Sequence, residues 1–244
     1  MANLKYNNTD MQETLFDLQN ELKKHVDQKY KQGCVNFFRE DIIIFGVRTP
    51  IVRKISVKYF NRIKDRPKKD ILNMCESLLK TNITENALIA FSWARKLKKD
   101  YTKQDFKTFE RWVKKYISNW AMCDDFCTHA LGDLVAKYPE LIPKVKKWTK
   151  SRNRWVKRAS AVVFINLIRK KNYLKEIFWT ADQLLTDKDD MVQKGYGWML
   201  KVAADFYPKQ VFTYVMKKKN KMPRTALRYA IEKMPKNWKK KAMA

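Results

Sequence analysis

Apolar residues recur along the chain at spacings of three and four, as Leu131, Leu134, Val135 and Tyr138 in one stretch and Ala159, Val162, Val163 and Leu167 in another. That spacing gathers them on one face of a helix, and no sustained period-two alternation competes with it. From Met1 to about Val26, polar, acidic and apolar residues interleave, which predicts an amphipathic first helix rather than the unbroken apolar core of an export signal. Five glycines are too few to break up the pattern. The seven prolines fall mainly at expected helix boundaries, as in Thr49-Pro50, Tyr138-Pro139, Ile142-Pro143, Tyr207-Pro208 and Met222-Pro223. The chain is therefore expected to be all-α.

The helices are also expected to repeat. Aligning the polar faces of successive candidate inner helices makes Arg53, Ala87, Asp124, Arg158, Lys194 and Arg228 equivalent, at intervals of 34, 37, 34, 36 and 34 residues. Each interval holds two helices and a turn. The last three units are the most alike: Trp155-Val156-Lys157-Arg158-Ala159, Met191-Val192-Gln193-Lys194-Gly195 and Thr225-Ala226-Leu227-Arg228-Tyr229. Helix pairs stacked in this way predict a right-handed α-solenoid of about six HEAT-like repeats, with the second helix of each pair lining a concave groove. The alternative is an irregular helical bundle without a true period. One domain is expected over residues 1–244, with a loose basic tail from about residue 236.

Composition adds a partner class. Fifty-three basic residues against 25 acidic ones give a formal charge of +28, and the isoelectric point is near 9.9. Such self-repulsion is relieved by a polyanion, although duplex DNA, ribosomes and membrane surfaces all qualify. The lysine runs 96–99, 217–221 and 239–241 are by default solvated, and some should add nonspecific attraction to phosphate. The longest apolar stretches, Ile42 to Val47 and Ala161 to Ile165, fall far short of the roughly 18 residues of a membrane span. Cysteines at 34, 75, 123 and 127 lack a paired framework, which fits a reduced cytoplasmic compartment without disulfides.

Several chemistries drop out on spacing. Cys123, Cys127 and His129 have no second pair at zinc spacing, so no metal is expected. Phosphate-binding glycine loops are absent, so no nucleotide cofactor is expected. Asp124 and Asp125 diverge by about 100° on a helix and cannot form a two-metal pair. His129 sits one turn beyond Asp125 and is expected to face it rather than Asp124. Trp93, Trp112, Trp148, Trp155, Trp179 and Trp238 are read as packing.

Asp124 stands apart, because an acid one helical turn after Trp120 in so basic a chain pairs a cation-stabilising group with a polyanion-binding surface. Asn119-Trp120-Ala121-Met122-Cys123-Asp124, then Leu131-Gly132-Asp133, Trp155-Val156-Lys157-Arg158-Ala159 and Val192-Gln193-Lys194-Gly195-Tyr196-Gly197-Trp198 together resemble the AlkD family of bacterial alkylpurine DNA glycosylases. Gly46-Val47-Arg48-Thr49-Pro50, with Arg53 after it, is similar to a Gly-x-x-Thr-Pro segment near the start of those proteins. The likeness runs collinearly from about residue 10 to about residue 235. It implies Asp124 as the catalytic aspartate, Trp120 and Trp198 as indoles flanking the lesion nucleotide, and Arg158 as a contact to the DNA backbone. Asn119, Ala121 and Asp125 depart from the family pattern, which bears on substrate preference. The resemblance also implies a bacterial, nucleoid-associated protein that engages a lesion without enclosing the base.

The chemistry can be reasoned independently. A purine alkylated at N3 or N7 is cationic and leaves as a neutral base, so no general acid is needed, and a fixed carboxylate can stabilise the developing oxocarbenium-like sugar and orient water. Indole faces attract cations by about 0.5–2 kcal/mol. Arg48, Thr49, Arg53, Lys157, Lys194 and Arg228 are further candidates for DNA contact. The expectation is a monomeric glycosylase acting on alkylated purines in double-stranded DNA. The rival is a noncatalytic helical-repeat module that binds unusual DNA or structured RNA.

Overall fold

The computed structural model describes residues 8–169 and 173–244. Among these there is no strand, only a single parallel bridge between Ile43 and Ile83. The helices group into two compact units, Met1–Tyr101 and Thr102–Ala244. The first holds α1 (Asn8–Lys23), α2 (Gln28–Phe37), α3 (Thr49–Ile63), α4 (Lys68–Lys80) and α5 (Thr84–Lys96). α1 is the expected amphipathic helix, and the part of that expectation before Asn8 lies outside the described residues. The second unit holds α6 (Asp105–Lys115), α7 (Trp120–Thr128), α8 (Ala130–Lys137), α9 (Ile142–Lys147), α10 (Arg154–Ile168), α11 (Leu174–Leu184), α12 (Asp190–Phe206), α13 (Pro208–Lys218), α14 (Arg224–Ile231) and α15 (Lys236–Met243).

Every proline stands at a helix start. Pro50, Pro143 and Pro208 lie in the first turn of α3, α9 and α13, Pro139 opens a short 3-10 turn, and Pro67, Pro223 and Pro235 cap α4, α14 and α15. A first-turn N–H has no helical acceptor, so its loss there costs nothing.

In the second unit α7 packs on α10, α10 on α12, and α12 on α14, a chain-ordered stack of the solenoid kind. Start signals fix the register of that stack. Asn119, Asn153 and Asp189 cap α7, α10 and α12, each accepting from a backbone N–H of the first turn. Five residues beyond these caps stand Asp124, Arg158 and Lys194, so the aligned positions are the same turn of successive stacked helices. The core between layers is aromatic: Phe109 stacks on Trp112 at 5.3 Å and meets Phe126 edge-on at 5.1 Å. Trp93, Trp112, Trp148 and Trp155 are buried, as packing predicts.

The expected loose tail is instead helix α15. Trp238 stacks on Phe212 of α13 at 4.3 Å and Ala242 is buried, so apolar contacts hold a segment whose lysines suggested a solvated end.

Candidate functional site

α7 is nine residues long and carries Trp120 in its first turn and Asp124 one turn later, both half-buried. That i, i+4 spacing places the indole and the carboxylate on one face. Asp125, the next residue, turns away to His129, whose Nδ1 lies 3.3 Å from its carboxylate. The two acids therefore have separate partners, as their angular separation requires.

Asp124 is gripped from the neighbouring helix. Arg158 donates from Nε to Oδ1 and from Nη2 to Oδ2, each at 2.8 Å, and from Nη1 to the carbonyl of Met191 on α12. Its side chain is 6% exposed, against 17% for that of Asp124. Bidentate charge-assisted pairing of this kind fixes orientation as well as charge. Each carboxylate oxygen keeps a second lone-pair direction unused by Arg158. Burial pushes the Asp124 carboxyl up, the Arg158 guanidinium pulls it back, and Asp125 adds a further push; the balance lies above the ordinary value.

Gly195 makes room for this arrangement. A Cβ at that position would stand 3.0 Å from Cγ of Arg158 and 3.4 Å from its Nη1. Met191, Gly195 and Trp198 fall at i, i+4 and i+7 on α12, so the half-buried Trp198 shares the face that receives Arg158. Arg158 thus joins α7 to α12 across α10 as a buried clamp. Asn119, a departure from the family pattern, is buried and caps α7, accepting from Met122 N–H at 3.0 Å.

The other candidates divide by their partners. Lys157 pairs with Asp187 at 2.5 Å, and Lys194 pairs with Asp190 at 3.1 Å. Arg228 is exposed and has no ion-pair partner among the described residues. In the first unit Arg53 has the same status on α3, whereas Arg48 lies 2.9 Å from Asp27 and over the Tyr30 ring. Thr49, half-exposed, begins α3.

Glu85 explains the Gly46-to-Pro50 motif and was not singled out from sequence. Its buried carboxylate accepts from the backbone N–H groups of Phe45, Gly46 and Val47 at 3.1, 2.8 and 3.0 Å. Gly46 itself has φ of +95°, and a Cβ there would meet Lys31 at 2.6 Å, so only glycine fits. The loop that launches α3 is held by one carboxylate from α5.

Residues 18–234 match the family model for DNA alkylation repair enzymes. The chain belongs to the DNA alkylation repair enzyme family. A solved structure described as a predicted DNA alkylation repair enzyme from Enterococcus faecalis is similar in fold, with a TM-score of 0.77 over 87% of this chain and 98% of that one, at 16% sequence identity. No curated protein matches the chain. Membership in this family makes DNA the partner for the positive charge and repair of alkylation damage the general role. No helix among the described residues is long and apolar enough to cross a membrane.

Proposed function

We propose that this family member is a DNA glycosylase that hydrolyses the N-glycosidic bond of cationic N3- and N7-alkylated purines in duplex DNA. The observation that carries the reading is Asp124: a carboxylate held by both oxygens, still 17% exposed, and one turn from a half-buried indole. In a family that repairs alkylated DNA, a fixed negative charge beside aromatic faces suits a reaction whose transition state is a sugar cation.

As the C1′–N bond breaks, its electron pair passes to the base and cancels the formal charge that alkylation placed there. Asp124 stabilises the positive charge left on the sugar, and Trp120 and Trp198 add their ring faces. A water oriented by the free lone pairs of Asp124 attacks C1′ and releases its proton to the carboxylate or to solvent. The products are the free base and an abasic site. Arg158 acts as a positioning residue in this scheme, and Arg53, Arg228, Arg48, Thr49, Lys157 and Lys194 serve as contacts to the duplex. An open arrangement of this kind needs no base flipping and tolerates bulky adducts.

One observation favours the noncatalytic reading, in which the chain only binds unusual DNA or structured RNA: Arg158 neutralises Asp124 where it sits. The deciding experiment measures release of 7-methylguanine and 3-methyladenine from methylated DNA by the native protein and by Asp124→Asn. The glycosylase reading expects release that falls by about 100-fold or more on substitution, with DNA affinity kept. No release by either protein would favour the binding module.

A further inference from the structure

A cleft of about 580 Å³ opens among α6, α9 and the 3-10 turn Trp148–Lys150 of the second unit. Lys107 and Lys114 on α6, Lys144 and Lys147 on α9, and Lys150 on the turn line it, with Glu110 as an acid in the lining. Glu110 is already engaged: Trp148 donates its indole N–H to it at 2.9 Å, and Lys114 pairs with it at the same distance. Burial pushes the Glu110 carboxyl up, but Lys114, Trp148 and Lys144 hold it below the usual range, so it stays ionised and committed to these partners. Lys107, Lys147 and Lys150 are exposed and in no ion pair among the described residues, while the exposed Lys144 shares Glu110 with Lys114 at longer range.

Five ammonium groups around one cavity with a single carboxylate repel one another and raise the local potential for an anion. The floor beneath them is fixed, because Phe106 and Trp148 are buried and stack at 5.7 Å with planes 11° apart. The lining offers hydrated point charges without a guanidinium fork, a set that attracts phosphate without fixing the geometry of a small ligand or reading sequence. Its length along two elements suits successive phosphates with their sugars over an apolar base.

The cleft is separate from the Asp124 site. Val156 lines it, and Arg158 stands two residues further along α10, about 200° around the helix axis. The two features therefore lie on opposite sides of that helix.

We infer that this lysine cleft is a second nucleic-acid site, which binds the phosphodiester backbone of a DNA segment other than the one presented to Asp124. The inference rests on DNA being the partner and not on glycosylase chemistry. Its test uses undamaged DNA, so its failure and that of the catalytic reading can be told apart.

A duplex of about one helical turn is too short to reach around the protein, and its binding is titrated to saturation. The native protein is expected to take two duplexes and the variant Lys144→Glu/Lys147→Glu/Lys150→Glu one. The slope of log affinity against log salt should become shallower by about 2–3 in the variant, as for that many lost phosphate contacts. The matching triple arginine variant should keep both duplexes, and in the native protein duplex should shield the three lysines from acetylation read by mass spectrometry. These last two readouts stand even where the glutamate variant fails to fold. A single duplex on the native protein, an unchanged slope in a folded glutamate variant, or shielding by inorganic tripolyphosphate but not by duplex would overturn the inference.

Discussion

Arg158 holds Asp124 by both carboxylate oxygens while its third nitrogen reaches the Met191 carbonyl, so one buried side chain joins α7 to α12. Removing one member of a buried ion pair leaves the other charged and unsatisfied, at a cost of about 3–5 kcal/mol. Arg158→Met is expected to lower unfolding stability substantially, and Asp124→Asn much less, because its amide oxygen still accepts from Arg158 and the fold already favours the neutral carboxyl over the ionised one. The double variant should lose less than the sum of the two, since neither charge is left alone. Urea unfolding of the four proteins measures this, and simple additivity would mean that the pair contributes no coupling.

The same pair sets a pH dependence. The folded Asp124 carboxyl lies above its ordinary 3.8, first through burial and then through Asp125, against the opposing pull of Arg158. A folded value raised above the unfolded one means that the stability contribution of Asp124 is full below the unfolded value and is lost as pH rises through the folded value. Activity runs the other way, because excision needs the ionised form. Single-turnover excision should therefore rise with pH along a limb placed above the ordinary carboxylate range. Arg158→Met removes the downward pull and should move that limb to higher pH, and an unmoved limb would show that another group titrates.

Much of this arrangement was legible before any coordinates, for identifiable reasons. Capping residues and prolines act locally, so helix starts, and with them the equivalence of Asp124, Arg158, Lys194 and Arg228, can be read from the chain. That equivalence places Asp124 and Arg158 at the same turn of adjacent helices, and the ion pair between them is what the structure adds. Resemblance implies an Arg158 contact to the DNA backbone, and a pattern of residue types does not by itself register the carboxylate that Arg158 also holds within the chain. Glu85 escaped because its donors lie 38 to 40 residues upstream and nothing local marks an acid whose partners are backbone N–H groups. The C-terminal lysines read as solvated because the stacking of Trp238 on Phe212 is a tertiary contact.

Trp120 and Trp198 should behave unlike the buried tryptophans. Both are half-buried, so replacement by alanine is expected to lower the melting temperature less than at a fully buried tryptophan. The loss should appear in excision, by about 2- to 30-fold for each ring, the equivalent of about 0.5–2 kcal/mol of cation–π attraction. Trp120→Phe and Trp198→Phe keep an aromatic face and should retain most of the rate. Trp112→Ala, by contrast, opens a cavity in the core and should cost about 3–5 kcal/mol of stability. Equal melting losses at all three positions would assign Trp120 and Trp198 to packing.

Gly195→Ala separates geometry from stability. Alanine in a helix is favoured over glycine by about 1 kcal/mol, and open space would let that gain appear in full. Here the new methyl meets Cγ of Arg158 at 3.0 Å and Nη1 at 3.4 Å, so Arg158 must yield by a few tenths of an ångström. It is anchored to Asp124 on one helix and to Met191 on another, and whatever it yields is passed to the carboxylate. The helical gain and the packing loss should nearly cancel in thermal unfolding, while excision falls by about tenfold or more because a misplacement below 1 Å already disturbs a preorganised group. Unchanged excision in a stabilised Gly195→Ala protein would show that Arg158 can relax without moving Asp124, and that the clamp does not position the reaction.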